Sequence, residues 1–469
     1  MGHRARLALL GLVALALAGC GGSRDVADGR TCFPAEARGL IGGDGPAIAA
    51  VRDPGGAYEL YLDGSASMVG FLRGATAGER PMADLIGMLP QLDTIDHGQA
   101  KLIRFDRRIT ELPAAAAATM QTEAGYLCPA ATPNCARQES HLDQALGRIA
   151  AAGPNTLSLV LSDLWLANSE VRTSEGVALA RPLSDILRSG RSVAVYGFES
   201  PYAGRVSDLP SGRKDVVAQR RYLFVVAVGP VARLQALHAG MLRAPSPAIQ
   251  RELNGGGGRY ALFTPTPMLA QAAGPAAWQV PVGGPFRKAA FLTVRAGARV
   301  PQFALDRGAA LRGGAKGEIG PTWPGVTPDQ LLPGAVWSGA SHGATTLYRM
   351  VADRCAPAGG DWRRDGTLAG GWRDGRFTAS ADELARLPAG RYLLIGTLQR
   401  TGVDTPNPAA AWMREWSFDA SGEAAAIARP VVPTLNLAET ARLLENALAG
   451  SVEARPAPVG GFAAAVDIK

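Results

Sequence analysis

The chain has 469 residues, 48 basic against 41 acidic side chains and a net charge of +7, with 47% hydrophobic residues. That length accommodates two or three domains with real cores. The charge is mild, and the absence of a clustered basic stripe or a nucleic-acid motif argues against a nucleic-acid partner. Arg outnumbers Lys 43 to 5 beside abundant Ala and Gly, which reads as compositional bias, and a loose attraction to anionic envelope polymers remains compatible with it.

Residues 1–19 read as a secretion signal, with Arg4 and Arg6 at its positive start and the apolar stretch Leu7–Leu17 after them. Eleven apolar positions are too few to span a bilayer as a helix. Leu17-Ala18-Gly19-Cys20 resembles the bacterial lipobox, which implies that Cys20 becomes the first mature residue and carries a diacylglycerol and a further acyl chain such as palmitate. Several acyl chains anchor stably where one is marginal. Gly21, rather than Asp, implies by the same resemblance sorting to the outer membrane, with the protein facing the periplasm. Removing Arg4 and Arg6 lowers the net charge from +7 to +5 over the remaining 450 residues.

Residues 20–50 are Gly-rich and polar, a tether. From residue 58 strand and helix patterns alternate, the mark of an α/β fold with a mostly parallel, doubly wound sheet over residues 51–243. Strands are expected at 58–63, 101–106, 156–162, 192–198 and 221–228. Helices are expected at 81–91, 141–151, 174–189 and 230–243, with a polar connection over Phe198–Arg221. The run Asn254-Gly-Gly-Gly-Gly258 places a linker at 244–258 and a domain boundary there. Residues 259–430 then read as a β-rich, sandwich-like region with strands near 288–296, 334–338, 344–351, 373–379, 390–398 and 411–419. In residues 431–469, Asn436 to Glu439 resembles a helix cap opening an amphipathic helix to about Leu448, followed by a closing strand at 461–469.

Four cysteines remain after Cys20. An even number in an exported chain favours disulfides, and Cys128 with Cys135 is the best candidate pair, closing a short turn-rich loop just before Ser140. Cys32 and Cys355 are then left for each other. Zinc is not expected, because no Cys or His pair has ligand spacing. Seven of the eight Trp lie beyond residue 270: Trp278, Trp323, Trp337, Trp362, Trp372, Trp412 and Trp416. They fit either packing of β-sandwich cores and rims or, if exposed, stacking on sugar rings. Trp165 fits either a contact anchor near a binding rim or simple packing.

The most informative residues are Asp63, Ser65, Ser67, Ser140 and Asp163. The first three form Asp63-Gly64-Ser65-Ala66-Ser67 after the apolar run Tyr58–Leu62, and Asp163 closes the run Leu157–Ser162. Carboxylates and hydroxyls at the carboxyl ends of neighbouring parallel strands converge on the crevice where open α/β sheets bind ligands. An all-oxygen set suits Mg²⁺, or Mn²⁺ or Ca²⁺, rather than zinc or copper. On these residues the segment resembles the von Willebrand factor A (vWA) family and its metal-ion-dependent adhesion site. Asp63 to Ser67 match that family's Asp-x-Ser-x-Ser, and Ser140-His-Leu-Asp-Gln-Ala-Leu146 is similar to its Thr-x-Leu-x-x-Ala-Leu helix start with Ser for Thr. Ser162-Asp163-Leu164 is similar to its Thr-Asp-Gly step but lacks the Gly. The resemblance implies a lipid-anchored protein that grips a partner's Asp or Glu carboxylate through the open position of a bound Mg²⁺.

Enzyme signatures largely fail. Gly339-Ala-Ser341-His342-Gly343 matches the nucleophile-elbow pattern, yet that hydrolase order needs a His downstream and no His follows His342. His97, His141 and His238 are isolated, with His141 beside Ser140. No phosphate-cradling Gly loop and no His-Glu-x-x-His occurs. The expectation is therefore a binding protein and not an enzyme. The alternatives are an envelope scaffold or glycan-binding module acting through the Trp-rich region, and a metal-dependent periplasmic hydrolase using the Asp63 cluster.

Overall fold

The computed structural model describes residue 34 and residues 56–469 other than 93–99, 128–139, 167–177, 207–208, 213–215, 245, 255–258, 266–277, 280–283, 294–298, 313–317, 322–331, 338–339, 352–361, 369–370, 374–375, 401 and 457. The signal segment, Cys20, the four other cysteines, His97 and Trp323 lie outside the described residues.

In chain order the first unit contains β1 (Tyr58–Asp63), α1 (Val69–Arg73), α2 (Pro81–Met88), β2 (Lys101–Phe105), β3 (Ile109–Leu112), α3 (Leu142–Ala151), β4 (Leu157–Ser162), α4 (Ala180–Arg188), β5 (Ser192–Val206), β6 (Val216–Gly229), α5 (Val231–Leu242), α6 (Pro247–Asn254) and β7 (Tyr260–Phe263). The strands form one seven-stranded sheet in the order β3-β2-β1-β4-β6-β5-β7. Side chains alternate across it with the period of two that a pleated strand imposes. Leu60, Leu62, Leu159, Leu161, Leu223 and Val225 pack with α1, α2, α5 and α6 on one face. Tyr61, Val160, Phe224 and Val226 pack with α3 and α4 on the other. Both faces are covered, which is why these strands read as near-continuous apolar runs.

The sheet is mixed rather than mostly parallel. β1 pairs in parallel with β2 and β4, but β6 lies antiparallel between β4 and β5, and β3 and β7 are antiparallel edges. The expected polar connection Phe198–Arg221 is instead the outer half of a long β5–β6 hairpin, paired from Ser192↔Gly229 to Val206↔Val216 with an irregularity between Pro201 and Gly204. Its Ser, Pro, Gly and Arg residues resemble a loop in composition, yet Tyr202 and Val206 are buried in the core, Tyr202 against Phe71 of α1 at 5.0 Å. Nor does the Gly run end the unit. Helix α6 occupies most of the expected linker, and β7, beyond the glycines, supplies the seventh strand.

The second region contains β8 (Trp278–Gln279), β9 (Phe286–Thr293), β10 (Arg299–Leu305), α7 (Arg307–Arg312), β11 (Glu318–Pro321), β12 (Ala340–Met350), β13 (Trp362–Leu368), β14 (Gly371–Arg373), β15 (Arg376–Ser380), α8 (Ala381–Ala385) and β16 (Gly390–Arg400). Of the strand expected at 334–338, the described residues 334–337 form none, and Ala335 makes an isolated bridge to Leu262. The chain then forms α9 (Ala411–Glu415), β17 (Ser417–Phe418), α10 (Glu423–Ile427), β18 (Thr434–Leu435), α11 (Leu437–Ala454) and β19 (Pro458–Ile468). The strand expected over 411–419 is thus mainly helix, because Trp412, Met413 and Trp416 share one helical face and bury it.

β19 sits inside a six-stranded sheet of order β13-β12-β16-β19-β10-β9, and β14-β15-β11-β8 make a smaller one. Phe286, Phe303, Leu347, Tyr392, Leu394, Phe462 and Val466 form its core with Ala379 and α8. The C-terminal helix, by contrast, returns to the first unit. Leu437, Ala441, Leu444 and Leu448 join the core on the α3–α4 face, and Ser451 Oγ donates to Leu187 O at 2.9 Å. Trp416 stacks on Tyr222 of β6 with centroids 3.8 Å apart. The close approach depends on Gly197, where a Cβ would stand 2.6 Å from Trp412 and 2.7 Å from Trp416. Residues 431–469 are therefore divided, the helix with the first sheet and the strand with the second.

Candidate functional site

The polar crevice forms where β1 and β4 end side by side. Asp63 closes β1 and is 1% exposed. Its Oδ1 accepts the Ser65 N–H at 2.9 Å, and its Oδ2 accepts Ser162 Oγ from the end of β4 at 2.6 Å. The turn Ala66–Met68 then leads into α1, with Ser65 Oγ and Ser67 Oγ 3.0 Å apart. Gly64 N donates to Phe105 O at 2.7 Å, locking this turn to the end of β2. The next residue, Asp106, pairs with Arg104 at 3.2 Å, and its carbonyl accepts the His141 N–H at 3.2 Å. That bond holds half-buried Ser140 at the start of α3 beside the same strand end.

Burial, and secondly the Asp163 charge, push the Asp63 carboxyl up to about 6, although the Ser162 and Ser65 hydrogen bonds pull it down. Asp163 is 3% exposed. Its Oδ1 accepts the Trp165 N–H at 3.2 Å, while Oδ2 lies 3.1 Å from Arg221 Nη1. This is an ion pair without hydrogen-bond alignment, since Asp163 Oδ2 and Arg221 Nη2 have no hydrogen-bond partner among the described residues. Between them Leu164 takes φ +47°, the left-handed conformation that a Gly would occupy without strain.

Arg221 is the functional residue that sequence reasoning missed. It lies on β6 three residues before Phe224, the last residue to pair with β4, opposite Ser162. Because β6 runs antiparallel, that stretch continues past the carboxyl end of β4 and overhangs the crevice. The guanidinium sits 4.7 Å from the Trp165 ring, 4.9 Å from Tyr202 and 5.8 Å from Phe71, within cation–π range of all three. Tyr202 reaches it because Gly70 of α1 has no Cβ; one would stand 2.3 Å from the ring. The neighbouring Arg220 points outward to Glu79 at 2.8 Å and Glu199 at 2.5 Å. The signal in the sequence was a second arginine directly against the buried run Tyr222–Gly229.

The C-terminal segment covers this end of the sheet. Phe418 packs on Trp165 at 5.5 Å, Val432 bridges to Arg221, and Asn436 Nδ2 donates to Leu166 O at 2.9 Å. Asn436 does not cap α11 with its side chain. Ser417 Oγ does so instead, accepting the Ala438 N–H at 2.8 Å. Trp165 therefore serves in packing as well as in the cage.

Do these residues fit a divalent ion? Two neighbouring ligands of an octahedral Mg²⁺ with bonds of about 2.1 Å stand roughly 3.0 Å apart, and the Ser65 and Ser67 hydroxyls have that spacing. The carboxylates do not follow. Asp163 is paired with a buried guanidinium that would repel a dication in a medium of low dielectric. Among the described residues no group of three or more His, Cys, Asp or Glu is placed to hold a metal ion. As placed, the residues do not fit a resident divalent ion.

The remaining sequence candidates are dispersed. Ser341 and His342 lie within β12, paired with Gln399 and Leu398, and not in the strand–turn–helix that a nucleophile elbow requires. Half-buried His238 stacks on Tyr260 at 4.2 Å. Trp362, Trp412 and Trp416 are buried and Trp337 is half-buried against Arg400, so these four offer no open face for sugar stacking. No helix among the described residues is long and apolar enough to cross a membrane. No family model, curated protein or solved structure matches this chain.

Proposed function

We propose that this chain is a lipid-anchored cell-envelope protein, held at the outer membrane through Cys20, whose first unit is a vWA-like module that binds a partner protein rather than an enzyme. The observation that carries the reading is the convergence of Asp63, Ser65, Ser67 and Asp163 at the adjoining ends of β1 and β4, with the Ser140 loop tied to β2 beside them. Beside this buried floor, exposed Arg107 and Arg108 follow Asp106, whose carbonyl accepts the His141 N–H. A cationic rim over a rigid sheet end suits an acidic segment of a partner and steers its approach. The glycan alternative gains no comparable support from Trp337, Trp362, Trp412 and Trp416, which are buried or half-buried.

The test is co-purification of the full-length lipoprotein from its own envelope, comparing wild type with Arg107→Glu/Arg108→Glu. Rim charges act mainly on association rate and salt dependence. The double variant is expected to lose at least tenfold of its co-purifying partner at low salt while keeping the wild-type melting temperature. Equal recovery of the same partner by both proteins would refute the reading.

A further inference from the structure

We infer that Arg221 is the resident cation of the crevice: this site carries a guanidinium where its relatives in pattern carry a divalent ion, so its architecture is complete without metal. The inference rests on the vWA-like reading only for what the site departs from; the geometry stands by itself. Two aspartates are buried side by side at the ends of β1 and β4, 1% and 3% exposed, and buried carboxylates need compensating charge or protons. Arg221 supplies one positive charge directly on Asp163 at 3.1 Å. It is not a surface side chain folded in by chance. Its own side chain is 2% exposed, Trp165, Tyr202 and Phe71 surround it, and Gly70 admits the Tyr202 ring.

Each wall of this box comes from a different element. Phe71 is on α1, Tyr202 on β5, Arg221 on β6, and Trp165 follows β4 and is backed by Phe418. The antiparallel β6 is what makes the arrangement possible, because it carries a side chain past the end of β4 where a parallel neighbour would begin its helix connection. The Ser65 and Ser67 hydroxyls, hydrogen-bonded to each other at 3.0 Å, stand at the same strand end, so the crevice keeps oxygens that a dication could take, while its carboxylate half is closed by arginine. Removing the guanidinium should therefore reopen it.

The experiment uses the full chain in detergent, stripped of metal with EDTA, as wild type, Arg221→Met and Arg221→Met/Asp163→Asn. Thermal unfolding is followed with and without millimolar Mn²⁺, and Mn²⁺ binding by electron paramagnetic resonance. Wild type is expected to bind no Mn²⁺ tightly and to melt at the same temperature with and without it. Arg221→Met should melt several degrees lower in EDTA, recover much of that loss with Mn²⁺ and take up one ion per chain. The double variant should melt above Arg221→Met in EDTA and ignore Mn²⁺. Metal-dependent stabilisation of wild type overturns the inference, as does a folded Arg221→Met that is indifferent to Mn²⁺. Should Arg221→Met not fold, the double variant decides: recovery of a cooperative transition supports the charge pairing, and none overturns it. Partner capture is not read in this experiment, so its failure is separable from failure of the binding proposal.

Discussion

Leu164 is the residue at which the resemblance and the structure meet. The family step calls for Gly after the aspartate, this chain has Leu, and the backbone nevertheless takes φ +47°. Left-handed backbone costs an L-residue about 1–2 kcal/mol, and here the buried side chain offsets that cost by packing in the core of the α3–α4 face. The expectation is an inverted ranking. Both Leu164→Ala and Leu164→Gly destabilise, but the Gly variant is more stable than the Ala variant by about 1 kcal/mol in urea unfolding, opposite to the order at ordinary positions. Asp63 gives the second prediction at this scale. Its folded-state carboxyl is raised to about 6 from an ordinary 3.8, so the native state holds its proton where the unfolded chain has lost it. That contribution to stability is fully present below about 4 and is lost as pH rises through about 6. Relative to Asp63→Asn, wild type should lose stability across that window, measured as the difference between the two unfolding free energies at each pH.

Strands β1 and β4 are legible in the sequence at nearly their observed bounds because both faces are buried, which leaves long apolar runs ending in functional polar residues. The hairpin is not legible beyond its inner half. Ser200, Pro201, Gly204 and Arg205 carry no alternation, and what holds their backbone is pairing with β6 and contact with α1, both distant in sequence. The same limit hid Arg221: the pleat sends one of the two neighbouring arginines inward and the other outward, and only the position of β6 across the sheet puts Asp163 beside the first and Glu79 beside the second. Residues 411–419 failed for a different reason. The segment reads as one of the short β-rich runs between Gly and Pro, whereas the spacing of Trp412 and Trp416 is that of one helical face. The oxygen-rich part of the site was readable because Asp63–Ser67 and Asp163 each close an apolar strand run; its counter-charge was not, because it arrives across the sheet.

At the scale of the molecule the chain threads its two units through each other. The first sheet takes its seventh strand from beyond the glycine run and its long helix from residues 437–454, while the second sheet takes β19 from the chain end. Arg400, buried, marks the join. Its Nη1 donates to Thr264 O at 2.6 Å, just after β7, and its Nη2 to Val336 O at 2.7 Å, so the points where the chain leaves and re-enters the first unit are clamped together. A buried guanidinium held by carbonyls in this way is costly to strip of partners. A chain ending at Gly258 therefore keeps the Asp63 motif but lacks β7 and α11, leaving Val193, Val195, Ile186 and Leu187 open to water on the α4 side. It is expected to lose cooperative unfolding. A chain ending at Ala454 loses only β19, which separates β16 from β10 at the centre of the six-stranded sheet. Limited proteolysis of that chain should cut within residues 266–400 while fragments carrying Asp63 and Trp412 remain associated and keep one cooperative transition. If the Gly258 chain unfolds as cooperatively as the Ala454 chain, the C-terminal helix is dispensable to the first unit and the interleaved account fails.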